Sequence, residues 1–269
     1  VTSAAPHHVI LTGLPRAGSS SLGALIDGLP DQLYLNSPEW HWSIAGRLLM
    51  PLPMCKWLVG EFYWQHKLAS EGAQLRDYRE PDGSPLFDGG MIHPLSPPPP
   101  GMIRRNELTP SFTLTMRHTT LYTALLPHLV HFEHFRILAV VRNPIDILLS
   151  WQNHPQQVPA IDSPRALESL WPEAHSVAAS LLPPLEKQVQ LVELFFQRYL
   201  ELKDFIEIIR YEDLAANPSL ASALYETPAL SIHAPRLKRK TSAQAGQLLE
   251  SIRELLAKYG TCCRALYPH

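Results

Sequence analysis

Three cysteines in 269 residues, Cys55 and the adjacent Cys262 and Cys263, are too few and too unevenly placed for a disulfide framework. No spaced histidines complete a zinc-like set with them, so the thiols read as reduced ones in a cytoplasmic protein. Long apolar runs are also missing. None approaches the ~20 residues of a membrane span, and Val9–Leu11 is too short for the core of a secretory leader. Neither sign of charge dominates: 23 Lys and Arg oppose 25 Asp and Glu, for a formal net charge of −2. No global field draws the chain to nucleic acid or an anionic membrane, so any bound anion must be held by local arrangement.

A composition 45% hydrophobic and 18% charged suffices to bury a substantial core. The length suits one domain over residues 1–269, and the start at Val1 rather than Met is also compatible with a domain cut from a longer protein. Val9–Thr12, Ile137–Val141 and Phe205–Arg210 are compact apolar runs with β-branched centres, as buried parallel strands require, and Phe112–Met116 is a weaker fourth. Helical patterns lie between and after them at Ser19–Asp27, Thr120–Val130, Pro144–Gln152, Leu185–Leu202 and Ala243–Tyr259. The alternation predicts an α/β fold, a central parallel β-sheet flanked by helices. The 26 prolines cluster, and the run Pro97–Pro100 must be extended. Residues 76–105 and 154–184, largely without periodicity apart from a helical pattern at Leu167–Ser180, are expected to cover the substrate at the ligand-binding edge.

Val9-Ile10-Leu11-Thr12 runs directly into Gly13-Leu14-Pro15-Arg16-Ala17-Gly18-Ser19-Ser20 and then into a helical pattern. Strand, glycine turn and helix start form a phosphate-binding unit: the glycines admit the anion to the backbone, and the first helical amides face it. Ser19, Ser20 and Ser21 add hydroxyl donors. The spacing approaches that of a nucleotide P-loop, but Ser19 stands where that motif has lysine, and Arg16 is the nearby cation. The departure favours an anion held without metal.

A second unit follows Ile137–Val141: Arg142-Asn143-Pro144-Ile145-Asp146, with Ser150 eight residues after Arg142. Pro144 suits the first helical position, Asp146 suits the dipole of the first turn, and Ser150 lies about two turns on, so the helix must run alongside the ligand.

At this point the chain resembles the sulfotransferases that use 3′-phosphoadenosine 5′-phosphosulfate (PAPS). Leu14–Ser20 looks like the 5′-phosphosulfate loop of that family. Val141-Arg142-Asn143-Pro144 with Asp146 and Ser150 looks like its 3′-phosphate motif, and Ile209-Arg210-Tyr211-Glu212-Asp213-Leu214 resembles its stretch near the adenine. The resemblance implies a P-loop-like sulfotransferase fold with PAPS as donor and no metal. It assigns Arg16, Ala17, Gly18, Ser19 and Ser20 to the 5′-phosphosulfate, Arg142 and Ser150 to the 3′-phosphate, and Tyr211 to the adenine. The basic run Arg236–Lys240, with Arg239 and Lys240, is the counterpart of a late cationic segment that reaches the 3′-phosphate, although the family's glycine is missing.

Sulfuryl transfer needs the acceptor oxygen in line, its proton removed and charge on the outer oxygens stabilised. Arg16 suits the last task, because a guanidinium stays charged and forks across two oxygens. Thr115-Met116-Arg117-His118 precedes a helix ending in Leu-Pro and resembles the family segment that carries the base. His118 would then be the general base, its unperturbed pKa near 6.5 suiting proton abstraction at neutral pH, and Arg117 would lie near the sulfuryl group. Glu39 and Glu61, in tryptophan-rich segments that would line the acceptor pocket or pack in the core, are alternative bases. His128, His131 and His134 are spaced like metal ligands, but no further Cys or His completes a set, and surface histidines are expected. The acceptor is expected to be a hydroxyl, or less readily an amine, on a small or carrier-bound molecule. Two other readings remain open: a P-loop kinase using Mg-ATP, and a non-catalytic domain of the same fold.

Overall fold

The computed structural model describes residues 8–36, 40–73, 75–77, 101–102, 108–152, 164–226 and 245–268. In chain order the first elements are β1 (His8–Gly13), α1 (Ser19–Asp27), β2 (Gln32–Asn36), α2 (Trp40–Leu48) and α3 (Pro51–Ser70). Two short strands follow, β3 (Arg76–Asp77) and β4 (Gly101–Met102), then β5 (Thr113–Arg117), α4 (Thr120–Leu129), β6 (Phe135–Val141) and α5 (Pro144–Gln152). The second half holds α6 (Pro164–Leu170), α7 (Pro172–Ala179), α8 (Pro184–Glu201), β7 (Glu207–Arg210), α9 (Tyr211–Ala216), α10 (Leu220–Leu224), α11 (Ala245–Tyr259) and α12 (Thr261–Leu266).

Five strands pair in parallel in the order β2-β5-β1-β6-β7. The central β1 is buried at every residue, which is why its sequence is a continuous apolar run rather than an alternation. Ile10 faces one apolar cluster with α3, α4 and α8, while Val9 and Leu11 face the other with α1, α9 and α10. The expected α/β architecture, a parallel sheet covered on both faces, is the architecture found.

β2 and the pair α2–α3 were not anticipated. Gln32-Leu33-Tyr34-Leu35-Asn36 is only five residues long, and both its faces are buried, Leu33 and Leu35 in one cluster and Tyr34 in the other. A short run without alternation carries little strand signal. No helix is among the expected elements between residues 38 and 76, yet α3 is a 20-residue helix with Pro51 at its first turn and Met54, Cys55, Leu58 and Phe62 on one buried stripe. Bulky aromatics on the opposite face, Tyr63 and Trp64, hid that stripe. The last strand is shorter than expected, beginning at Glu207 and leaving Phe205 63% exposed. The expected substrate-covering stretches lie largely outside the described residues for 76–105; within 154–184, α6 and α7 each open on a proline. No described helix is long and apolar enough to cross a membrane.

Candidate active site

Parallel strands leave their C-terminal ends on one edge, and the crevice where neighbouring connections part is where open α/β sheets bind ligands. β1 runs out at Gly13 between β5, which ends at Arg117, and β6, which ends at Val141. Every predicted site residue that the structure describes, except the alternative base Glu61, is carried by a segment leaving this edge. Arg239 and Lys240 lie outside the described residues, as does Glu39.

The loop after β1 demands its glycines. Gly13 has φ 151°, and a side chain there would press into the Val140 carbonyl of β6 at 2.6 Å. Gly18, with φ 100°, stands against the Tyr211 ring, where a Cβ would come within 2.2 Å of a ring carbon. Arg16 also adopts a left-handed φ of 70°, a conformation costly for a non-glycine residue and held here by the surrounding packing. Trp151 of α5, buried, donates its indole N–H to the Pro15 carbonyl at 3.0 Å and so fastens the loop from the neighbouring motif. By position, the first amides of α1 lack intrahelical acceptors and point out of the helix start.

The two predicted anion motifs meet side chain to side chain. Arg16 Nε donates to Ser150 Oγ at 3.1 Å, and the Arg142 guanidinium reaches the Arg16 carbonyl at 3.4 Å. Arg142 also lies over the Tyr211 ring, 5.1 Å from its centroid, and 3.7 Å from Asp146. Arg16 is thus drawn to Ser150, the residue expected on the 3′-phosphate. On the other side, Arg117 Nε donates to Ser19 Oγ at 2.8 Å and its Nη1 to Asn36 Oδ1 at 2.6 Å. Ser19 and Ser150 each accept from a guanidinium, so each hydroxyl keeps its own proton to donate. A hydroxyl polarised in this way is a strong donor to an anion.

His118 follows β5 and is buried, 5% exposed. Its N–H extends the ladder to the Leu11 carbonyl at 3.1 Å, and Thr12 Oγ1 lies 3.0 Å from its carbonyl. Thr12 Oγ1 is also 2.8 Å from Thr123 Oγ1, which is 2.9 Å from the Tyr199 hydroxyl. This buried hydroxyl chain ties the end of β1 to the backbone of His118. Its imidazole sits 5.6 Å from the Tyr122 ring, and the Tyr122 hydroxyl is 3.0 Å from His41 Nδ1. Burial, together with nearby His41 and Arg117, holds the His118 pKa well below 6.5, and burial pushes His41 down to about 3. Both rings are therefore neutral at pH 7, the state in which an imidazole can accept a proton.

Asn36, Thr12 and Trp151 were missed in the sequence. Asn36 ends a strand whose pattern is weak, and the partners of Thr12 and Trp151 are more than a hundred residues away. Glu61, the alternative base, is placed on the half of α3 whose next residues, Phe62, Tyr63 and His66, ring His8 at 5.0–5.5 Å. His8 begins β1, about 17 Å of strand from Gly13. Among the described residues no group of three or more His, Cys, Asp or Glu could hold a metal ion, the His128–His134 run included.

Residues 6–221 match the model of the sulfotransferase domain. The chain belongs to the sulfotransferase family. No curated protein matches it. Among solved structures, a sulfotransferase from Alicyclobacillus acidocaldarius is 17% identical, with 98% of this chain and 96% of that one covered at a TM-score of 0.45. The sulfotransferase domain from the curacin biosynthetic pathway is also 17% identical, with 97% and 92% covered and a TM-score of 0.46.

Proposed function

We propose that this sulfotransferase moves a sulfuryl group from PAPS to a hydroxyl, or less readily an amine, of a small or carrier-bound acceptor, with His118 as general base. The observation that carries the reading is the meeting of Arg16, Arg142 and Ser150 with Tyr211 on one side of the loop and of Arg117 with Ser19 on the other. Two cationic, hydroxyl-bearing sets separated by a glycine loop suit a ligand with anionic groups at two ends and an aromatic base. The fit is chemical: three guanidinium groups, two polarised hydroxyls and the first amides of α1 supply donors, and Tyr211 supplies a face for the adenine.

When bound, PAPS supplies a sulfuryl group already activated on its 5′-phosphate. Gly18, Ser19, Ser20 and the start of α1 would hold that phosphate, with Ala17 backing the loop. Arg142 and Ser150 would hold the 3′-phosphate, and Arg16 would span the two ends. Arg117, its guanidinium plane fixed by Ser19 and Asn36, would stabilise the charge that builds on the sulfuryl oxygens. His118 would take the acceptor's hydroxyl proton. The kinase reading has little support, since the position of the P-loop lysine is occupied by Ser19, whose hydroxyl serves Arg117.

The test is a screen of sulfate transfer to phenols, alkyl alcohols, sugars and carrier-bound hydroxyls, run with two variants. Arg16→Ala is expected to cripple turnover, while Arg142→Ala chiefly weakens donor binding. Unchanged donor affinity in Arg142→Ala would overturn the 3′-phosphate assignment.

A further inference from the structure

The match to the family ends at residue 221, yet the second anion motif is held from beyond that limit. Glu212, in the first turn of α9, accepts the Asn143 N–H on Oε1 at 2.8 Å and the Tyr267 hydroxyl on Oε2 at 2.8 Å. Asn143 in turn caps α5, accepting the Ile145 N–H on its side-chain oxygen at 2.9 Å and the Ile147 N–H on its carbonyl at 3.1 Å. α5 carries Ser150 and Trp151, and Asn143 directly follows Arg142. One carboxylate therefore sets the orientation of the whole turn.

Tyr267 is itself fixed. Its ring has the Arg210 guanidinium 5.0 Å from its centre and the Phe196 ring stacked 6.1 Å away. Arg210 also donates to the Leu266 carbonyl, which pins the end of α12 to the end of β7. Burial and the adjoining Glu212 carboxylate push the Tyr267 pKa up, so the hydroxyl keeps its proton and continues to donate.

We infer that Tyr267 is a positioning residue for the 3′-phosphate end of the donor site, acting through Glu212 and Asn143. With both oxygens engaged, the Glu212 carboxylate cannot rotate, and its charge stays directed at Asn143 and Tyr267. Released on one side, it can turn toward Arg142, which stacks on the preceding Tyr211, and compete with the ligand's phosphate for the guanidinium. The inference rests on the donor reading above and extends it to a C-terminal segment that the family match does not cover.

Calorimetry with 3′-phosphoadenosine 5′-phosphate and with adenosine 5′-phosphate separates the possibilities, because their ratio of affinities isolates the 3′-phosphate. Tyr267→Phe is expected to lower that ratio roughly two- to tenfold, the span of one net hydrogen bond, with adenosine 5′-phosphate affinity unchanged. An unchanged ratio, or an equal loss for both ligands, would overturn the positioning role and leave the donor reading standing. A wild-type chain that shows no preference for the bisphosphate would overturn the donor reading, and this inference with it. Should Tyr267→Phe fail to fold, Glu212→Asp, whose shorter side chain keeps the charge but cannot reach both the Asn143 N–H and the Tyr267 hydroxyl, carries the same comparison.

Discussion

At the scale of single residues, the account depends on a neutral His118. A group already deprotonated in the free enzyme produces no titration near its ordinary pKa, so kcat/KM for the acceptor should show no acid-side break at pH 6.5, and any break should lie lower. His118→Ala should cost about 10²–10⁴ in turnover while donor affinity persists. Neutral burial also has a stability consequence. His41 and His118 bind protons in the unfolded chain below pH 6.5 but not in the folded one, so their contribution is whole above pH 6.5 and is lost as pH falls. The slope is about 1.4 kcal/mol per pH unit for each ring, continuing for His41 down to about pH 3. Denaturant midpoints of wild type and His41→Asn between pH 7.5 and 5.5 check this; equal slopes would contradict it. The residues that touch ligand in this account were legible because each belongs to a contiguous motif: Arg16 and Ser19 in one loop, Arg142 and Ser150 in one turn and helix, His118 after one strand. Asn36, Thr12 and Glu212 act on residues 55 to 106 positions away in sequence, and no local pattern announces so distant a partner.

At the scale of elements, α5 joins the two anion motifs. It is capped by Asn143, carries Ser150 toward Arg16, and sends the Trp151 indole back to Pro15. Trp151→Phe would leave the Pro15 carbonyl without that donor, a loss of about 1–3 kcal/mol. It should appear both as a lower melting temperature and as weaker binding of 3′-phosphoadenosine 5′-phosphate. A fall in stability with donor affinity intact would show that the loop does not need this anchor. Helices α1 and α5 were readable to the residue, since Gly18 and Pro144 mark their starts. α3 was not, because Tyr63 and Trp64 on its outer face obscure the stripe of Met54, Cys55, Leu58 and Phe62 that it buries.

At the scale of the whole molecule, a chain of net charge −2 gathers Arg16, Arg117 and Arg142 at the C-terminal edge of one parallel sheet. The sheet order β2-β5-β1-β6-β7 sets β1 between the strands that lead into His118 and Arg142, so the fold itself brings the proposed base, the loop and the proposed 3′-phosphate motif together. That meeting could be foreseen only as a consequence of parallel topology, since nothing in the three motifs states their distance. The central claim is that these cations hold a donor with a 5′-phosphosulfate and a separate 3′-phosphate, without metal. Titration calorimetry of 3′-phosphoadenosine 5′-phosphate in excess EDTA tests it most directly. The account predicts saturable binding to a single site that is unaffected by the chelator; binding of Mg-ATP with none of the bisphosphate would contradict it.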